Sequence, residues 1–128
     1  MDILIHPAVK LDGVIRAQPS KNYTTRCLLA AALANGESLV RRPASSADAA
    51  ALISCLKDLG AIITPDGDDL LIRGFGRSPR HPGALNPGNA GAVLRFLMAV
   101  CAILPEIRFV TDYHESLGVR PNQDLLDA

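Results

Sequence analysis

Asn86-Pro87-Gly88-Asn89-Ala90-Gly91 runs directly into Ala92-Val93-Leu94-Arg95-Phe96-Leu97-Met98-Ala99-Val100-Cys101. Pro87 and the glycines predict a turn, and Asn89 is the residue expected to cap the helix that follows. Gly88 and Gly91 let a ligand approach the backbone where the first helical amides lack intrahelical partners. Such a helix start favours an anion, and Arg95, about one turn further in, adds a formal positive charge. A glycine-rich helix start is by itself more often only a helix start, so the rest of the chain has to decide.

A similar arrangement stands earlier. Pro19-Ser20-Lys21-Asn22-Tyr23-Thr24-Thr25-Arg26 is again a turn, a capping serine and a helix with an arginine in its first turns. When Arg26 is set on Arg95, both are followed by small apolar runs, and Glu37-Ser38-Leu39-Val40-Arg41 falls on Glu106-Ile107-Arg108-Phe109-Val110 without a gap. Two copies of one supersecondary unit are expected.

Almost half the residues are apolar, and 13 Lys+Arg balance 13 Asp+Glu, so one ordinary α/β core is within reach. With no basic block and no interleaved aromatics, nucleic acid is not expected as a partner. The apolar stretches are broken by Arg26 or Arg95, so no membrane span or membrane partner is expected, and no basic n-region precedes the apolar start. Cys27, Cys55 and Cys101 are odd in number and far apart, as expected of three buried, reduced thiols in a cytoplasmic protein. They share no ligand spacing with His6, His81 and His114, and neither metal nor organic cofactor is expected.

Local patterns predict strands at Asp2–His6 and Gly13–Ala17, then a helix from Ser20 to about Ala34, closed by Asn35-Gly36. A strand at Ser38–Arg41 is followed by a helix started by Ser45, Ser46 and Asp48. Its apolar face is Ala49, Leu52, Ile53, Leu56 and Leu59, and Gly60 ends it. Ala61–Thr64 and Asp69–Arg73 predict a hairpin about the turn Pro65–Asp68. A connector from Gly74 to Pro87 leads to a helix from Asn89 to about Leu104, a strand at Ile107–Thr111, and a last helix after Pro121. The first unit reads β-α-β-α-β-β; the second lacks its end, as expected of a fragment or a truncated copy.

Pro19-Ser20-Lys21 with Arg26, then Asp48, then Gly88-Asn89-Ala90-Gly91 with Arg95, then Glu115-Ser116-Leu117 with Arg120-Pro121, resemble in order and spacing the N-terminal part of the 5-enolpyruvylshikimate-3-phosphate synthase family. The resemblance covers nearly the whole chain. It implies an α/β (α+β) fold of repeated βαβαββ units in the inside-out α/β barrel of the enolpyruvyl transferases, here one complete unit and one truncated. Residues 1–17 would be strands that complete the opposite domain, residues 18–82 the first unit, and residues 83–128 the second.

The resemblance also implies the reaction, in which the 5-hydroxyl of shikimate 3-phosphate adds to phosphoenolpyruvate and phosphate leaves, without a cofactor. By that resemblance Lys21, Asn89, Gly91 and Arg120 bind phosphoenolpyruvate, Lys21, Asn22 and Arg26 bind shikimate 3-phosphate, and Arg95 supports the site. Asp48 is expected only to complement its helix dipole. The acid–base carboxylates of the family lie in a C-terminal half that this chain does not contain, so the chain alone is expected not to turn over. Three departures stand out: Asn22 for a usual serine, Ala92 for a usual threonine, and Gly118-Val119 for a more basic pair; Tyr113 and His114 are expected on a loop surface. Lys21-Asn22 and Leu117–Pro121 are also similar to UDP-N-acetylglucosamine enolpyruvyl transferase. Against that sister family stand Tyr23-Thr24-Thr25-Arg26 and a loop before Arg120 without cysteine. A non-catalytic anion-binding module is the alternative from another class.

Overall fold

Ser20 stops the extended chain and starts the first helix: its Oγ accepts the Tyr23 amide at 3.3 Å, opening α1 (Lys21–Leu33). The computed structural model describes residues 2–127. α1 buries Thr24, Thr25, Leu28, Ala31 and Ala32, and the chain leaves it through Gly36, whose φ of 116° suits glycine. After β1 (Glu37–Val40), Ser46 repeats the capping device by accepting the Ala49 amide, and α2 (Ala47–Asp58) packs Leu52, Cys55 and Leu56 inward. β2 (Ile62–Asp66) and β3 (Asp69–Arg73) form the expected hairpin, with Asp66 opposite Asp69. The turn is tighter than the sequence suggested, since Pro65 and Asp66 belong to β2. Pro65 is tolerated because β2 is an edge strand in the sheet order β1-β3-β2, where all pairs are antiparallel.

The second part is smaller. β4 (Ala84–Leu85), hidden in the connector, pairs in parallel with β5 (Arg108–Phe109), and α3 (Gly91–Cys101) forms the crossover. α3 is shorter at both ends than expected, and β5 keeps only two residues of the expected strand. A 3₁₀ turn (Leu117–Val119) precedes α4 (Gln123–Leu126), a single turn in place of the longer helix expected after Pro121; Ala128 lies outside the described residues.

One core joins both parts. Leu28 from α1, Leu52 and Leu56 from α2, Ile72 from β3, and Val93 and Leu97 from α3 are fully buried in it. Each such side chain contributes about 1.5–3 kcal/mol by leaving water. α2 is the shared wall: it packs on α1 on one side, and its Ala51 lies 3.5 Å from where a Cβ on Gly88 would stand.

The strands expected at Asp2–His6 and Gly13–Ala17 are not formed. Residues 2–20 pair with no strand among the described residues, and Ile3, Leu4, Val9 and Val14 stand exposed. An apolar alternation makes a strand only where a sheet edge accepts it, and here none does. Cys27 is likewise exposed rather than buried, because α1 turns its opposite face to the core. Among the described residues no helix is long and apolar enough to cross a membrane.

Candidate anion-binding site

The turn that opens the site is fastened by its own side chains. Asn86 Oδ1 accepts the Gly88 amide at 2.9 Å, and Gly88 takes a φ of 61°. Thr111 Oγ1 donates to the Gly88 carbonyl at 2.7 Å, and the Cys55 thiol donates to the Asn86 carbonyl at 3.3 Å. Thr111, just beyond β5, and Cys55 of α2 therefore both fasten the turn. Asn89 does not cap α3: the capping position is Ala90, without a side-chain acceptor, and Asn89 stands exposed beside it. The Asx turn at Asn86 decides this, because it places Asn89 one residue too early. Its consequence is chemical, since the first amides of α3 are left without a side-chain acceptor.

Over those amides lie two guanidinium groups. A Cβ placed on Gly91 would be 3.1 Å from Arg120 Nη1 and 3.2 Å from Arg95 Nη1. Arg120 donates to Ser116 Oγ at 3.2 Å and Arg95 to the Pro121 carbonyl at 3.5 Å, and among the described residues neither forms an ion pair. Two like charges converging on a helix start, with no carboxylate between them, can attract a multiply charged anion. Arg120 reaches it from the 3₁₀ turn, which buries Leu117 and leaves Tyr113 and His114 on the surface as expected.

The first turns of α1 carry the other expected residues. Lys21 Nζ lies 2.9 Å from Asp48 Oδ2, so Asp48 does more than complement the dipole of α2; it holds the motif lysine. No sequence spacing signalled that pair, because it joins two helices. Arg26 donates to the Asn22 carbonyl at 3.0 Å and lies over the Phe96 ring, 5.3 Å from its centroid. Thr24 and Thr25 of the same motif are buried: Thr24 Oγ1 accepts the Ala44 amide at 2.8 Å, anchoring the loop into α2, and Thr25 bonds the Asn22 carbonyl. Gly91, Arg95 and Arg120 are thus brought together, whereas Lys21 and Asn22 make no hydrogen bond or ion pair to them or to Asn89 among the described residues.

Among the described residues no three His, Cys, Asp or Glu side chains gather as metal ligands would. Burial, with Asp58 nearby, pushes the Cys55 thiol up to about 11, and burial also raises Cys101. Iodoacetamide at pH 8 is therefore expected to alkylate Cys27 first, since roughly a thousandth of Cys55 is thiolate there. Mass mapping that finds Cys55 labelled as fast as Cys27 would contradict this packing. Because the folded value lies above the unfolded one, the thiol's contribution to stability is intact below pH 9 and is lost as pH rises through about 11.

An α/β fold that sets paired arginines beside a glycine-rich helix start belongs to the class of arrangements able to attract anions. A family model described as EPSP synthase (3-phosphoshikimate 1-carboxyvinyltransferase) matches residues 5–128. The chain is 59% identical over 127 residues to 3-phosphoshikimate 1-carboxyvinyltransferase of Deinococcus radiodurans, which covers 99% of this chain and 29% of that protein. The same enzyme of Methanosphaera stadtmanae is 38% identical over 130 residues, covering all of this chain and 30% of that protein. EPSP synthase from Acinetobacter baumannii superposes with a TM-score of 0.77 at 26% identity, over 85% of this chain and 25% of that one. The chain belongs to the EPSP synthase family. It spans less than a third of the length of these relatives, and they carry the shikimate-branch name rather than that of the sister transferase.

Proposed function

We propose that this chain is the N-terminal part of an enzyme that transfers the enolpyruvyl group of phosphoenolpyruvate to the 5-hydroxyl of shikimate 3-phosphate. The single observation that carries this reading is the pair Arg95 and Arg120 over Gly91, free of carboxylates. In this reading the phosphate and carboxylate of phosphoenolpyruvate lie on Arg120, the Gly91 backbone and Asn89, with Lys21 reaching over from α1. Arg26 and Asn22 take shikimate 3-phosphate, and Arg95 shares the charge at the helix start. Holding two anions side by side offsets their repulsion and aligns the hydroxyl with the enol carbon. Protonation of the methylene gives a tetrahedral adduct, which then loses phosphate and a methyl proton. No cofactor enters this scheme.

The same proposal extends to architecture. Residues 18–82 and 83–128 form successive units of an inside-out α/β barrel domain, and residues 1–17 supply strands to the opposite domain. Their exposed apolar side chains are in keeping with such a partner. The remainder of the enzyme supplies the acid–base carboxylates, so the chain alone does not turn over. A cytoplasmic setting belongs to the same reading, in keeping with three free thiols.

Phosphate release by the full-length gene product tests the reaction. It should require shikimate 3-phosphate as acceptor and stay silent with UDP-N-acetylglucosamine; the reverse pattern overturns the reading. Gly91→Ala is a finer probe. Its backbone suits a helix, so the added methyl fits the fold but occupies the space between the two guanidinium groups. We expect kcat/KM for phosphoenolpyruvate to fall roughly ten- to a hundredfold, because a displacement near 1 Å costs that much in an aligned site. Unfolding should stay unchanged, and an unaltered kcat/KM would move the anion away from Gly91.

A further inference from the structure

We propose that Phe96 is the positioning residue for Arg26, registering the shikimate-phosphate cation of α1 on the helix that carries Arg95. This rests on the reading of Arg26 as a ligand-binding cation. The two motif cations of α1 are held in opposite ways. Lys21 is answered by a carboxylate at 2.9 Å, whereas Arg26 is held by one carbonyl and one aromatic face and by no carboxylate among the described residues. The carbonyl is that of Asn22, on the same helix, and fixes the guanidinium only relative to α1. Phe96 is the contact that fixes it relative to α3, one residue beyond Arg95.

The choice of an aromatic partner has a chemical consequence. A ring face attracts a guanidinium through its quadrupole and leaves the positive charge intact. A carboxylate at that place would orient Arg26 equally well but would compete with an incoming carboxylate ligand. The ring also leaves the edge donors of the guanidinium free for a two-pronged bond. Phe96 thus orients without neutralising, and it does so across the boundary between the two units.

The bland account is that Phe96 merely fills the apolar groove it lines with Leu29 and Val100. Leucine fills that groove as well as phenylalanine; only an aromatic residue holds a guanidinium. In the full-length enzyme, Phe96→Leu is expected to raise KM for shikimate 3-phosphate about two- to fivefold, the span of an exposed cation–π contact. KM for phosphoenolpyruvate and kcat should hold, and Phe96→Tyr should restore the wild-type KM. In an Arg26→Ala background Phe96→Leu should add nothing. A Phe96→Leu enzyme with wild-type KM, a tyrosine variant as impaired as the leucine one, or a leucine penalty that persists without Arg26 would each overturn the proposal. If Arg26→Ala itself leaves KM for shikimate 3-phosphate unchanged, the ligand assignment of α1 is what fails. An NMR ring-current shift on the Arg26 guanidinium protons, lost in Phe96→Leu, then still reports whether the contact exists.

Discussion

Arg120→Ala in the full-length enzyme is expected to lower kcat/KM for phosphoenolpyruvate roughly a hundred- to a thousandfold. Arg120 stands on an exposed turn, and its Nη1 reaches the place beside Gly91 where an anion would meet the free amides of α3. The contacts of its side chain are slight: one hydrogen bond to Ser116 Oγ and no ion pair among the described residues, while its backbone bonds to Leu117 and Asn122 survive truncation. Removing it should therefore leave the fold untouched and, on the proposed reading, delete charge-assisted donors to the ligand. A lost donor of that kind costs on the order of 10²–10³ in rate. Arg120→Lys should recover part of the loss, because an ammonium supplies the charge but not the planar fork. Arg95→Ala should cost less than Arg120→Ala, since the nearby Arg120 and the helix start remain. The combined variant should cost less than the product of the two, because neighbouring groups acting on one anion are coupled. A steady-state loss below tenfold in Arg120→Ala would take this arginine out of the site.

What could be read from the residues alone was whatever is decided locally. Ser20 and Ser46 cap their helices as expected, Gly60 ends α2, and the alternation through Ile63 and Ile72 makes the hairpin, because each of these features involves neighbours in sequence. The errors share the opposite cause. Asp2–His6 and Gly13–Ala17 carry strand-like patterns, but a strand is completed by a partner, and the described chain offers them none. β4 was hidden because Ala84-Leu85 is short and lies among glycines and prolines. The alignment of Arg26 with Arg95, carried backwards, sets Ile15-Arg16 on it and was the signal that could have found it. The expected cap at Asn89 was lost to Asn86, whose Asx turn shifts the helix start onward.

At the site the division is the same. Residue types and spacings singled out Lys21, Arg26, Gly91, Arg95 and Arg120 because charge and glycine are visible one residue at a time. The pairings Lys21–Asp48, Arg26–Phe96 and Arg95–Gly91–Arg120 cross between elements, and only the packing of α2 between α1 and the Gly88 turn sets them.

Gly74→Ala should be the most damaging small change to the fold, at about 3 kcal/mol or more. Gly74 follows β3 and slides beneath the end of α1, where its amide donates to the Gly36 carbonyl at 3.0 Å and the next amide, of Phe75, to Ala32 at 2.8 Å. A Cβ there would meet the carbonyl oxygen of Ala34 and lie 2.6 Å from that of Ala31 and 2.7 Å from that of Ala32. All three are backbone atoms of the closing turn of α1, so no side chain can swing away. Either α1 lifts from the sheet or the two hydrogen bonds break, and the carbonyl of buried Ala32 loses its donor. A loss of that size lowers the midpoint of thermal unfolding by roughly 10 °C. Gly36→Ala, one step along the same junction, separates clash from backbone strain: its φ is 116° but nothing stands within 4 Å of the added methyl. That variant should cost only about 1 kcal/mol. Gly74 has no positive φ to strain, so a loss at Gly74→Ala no larger than that at Gly36→Ala would mean that the close approach of β3 to α1 does not require glycine. The distinction reaches the chemistry, because the helix that Gly74 holds down is the one that aims Lys21 at Asp48 and Arg26 at Phe96.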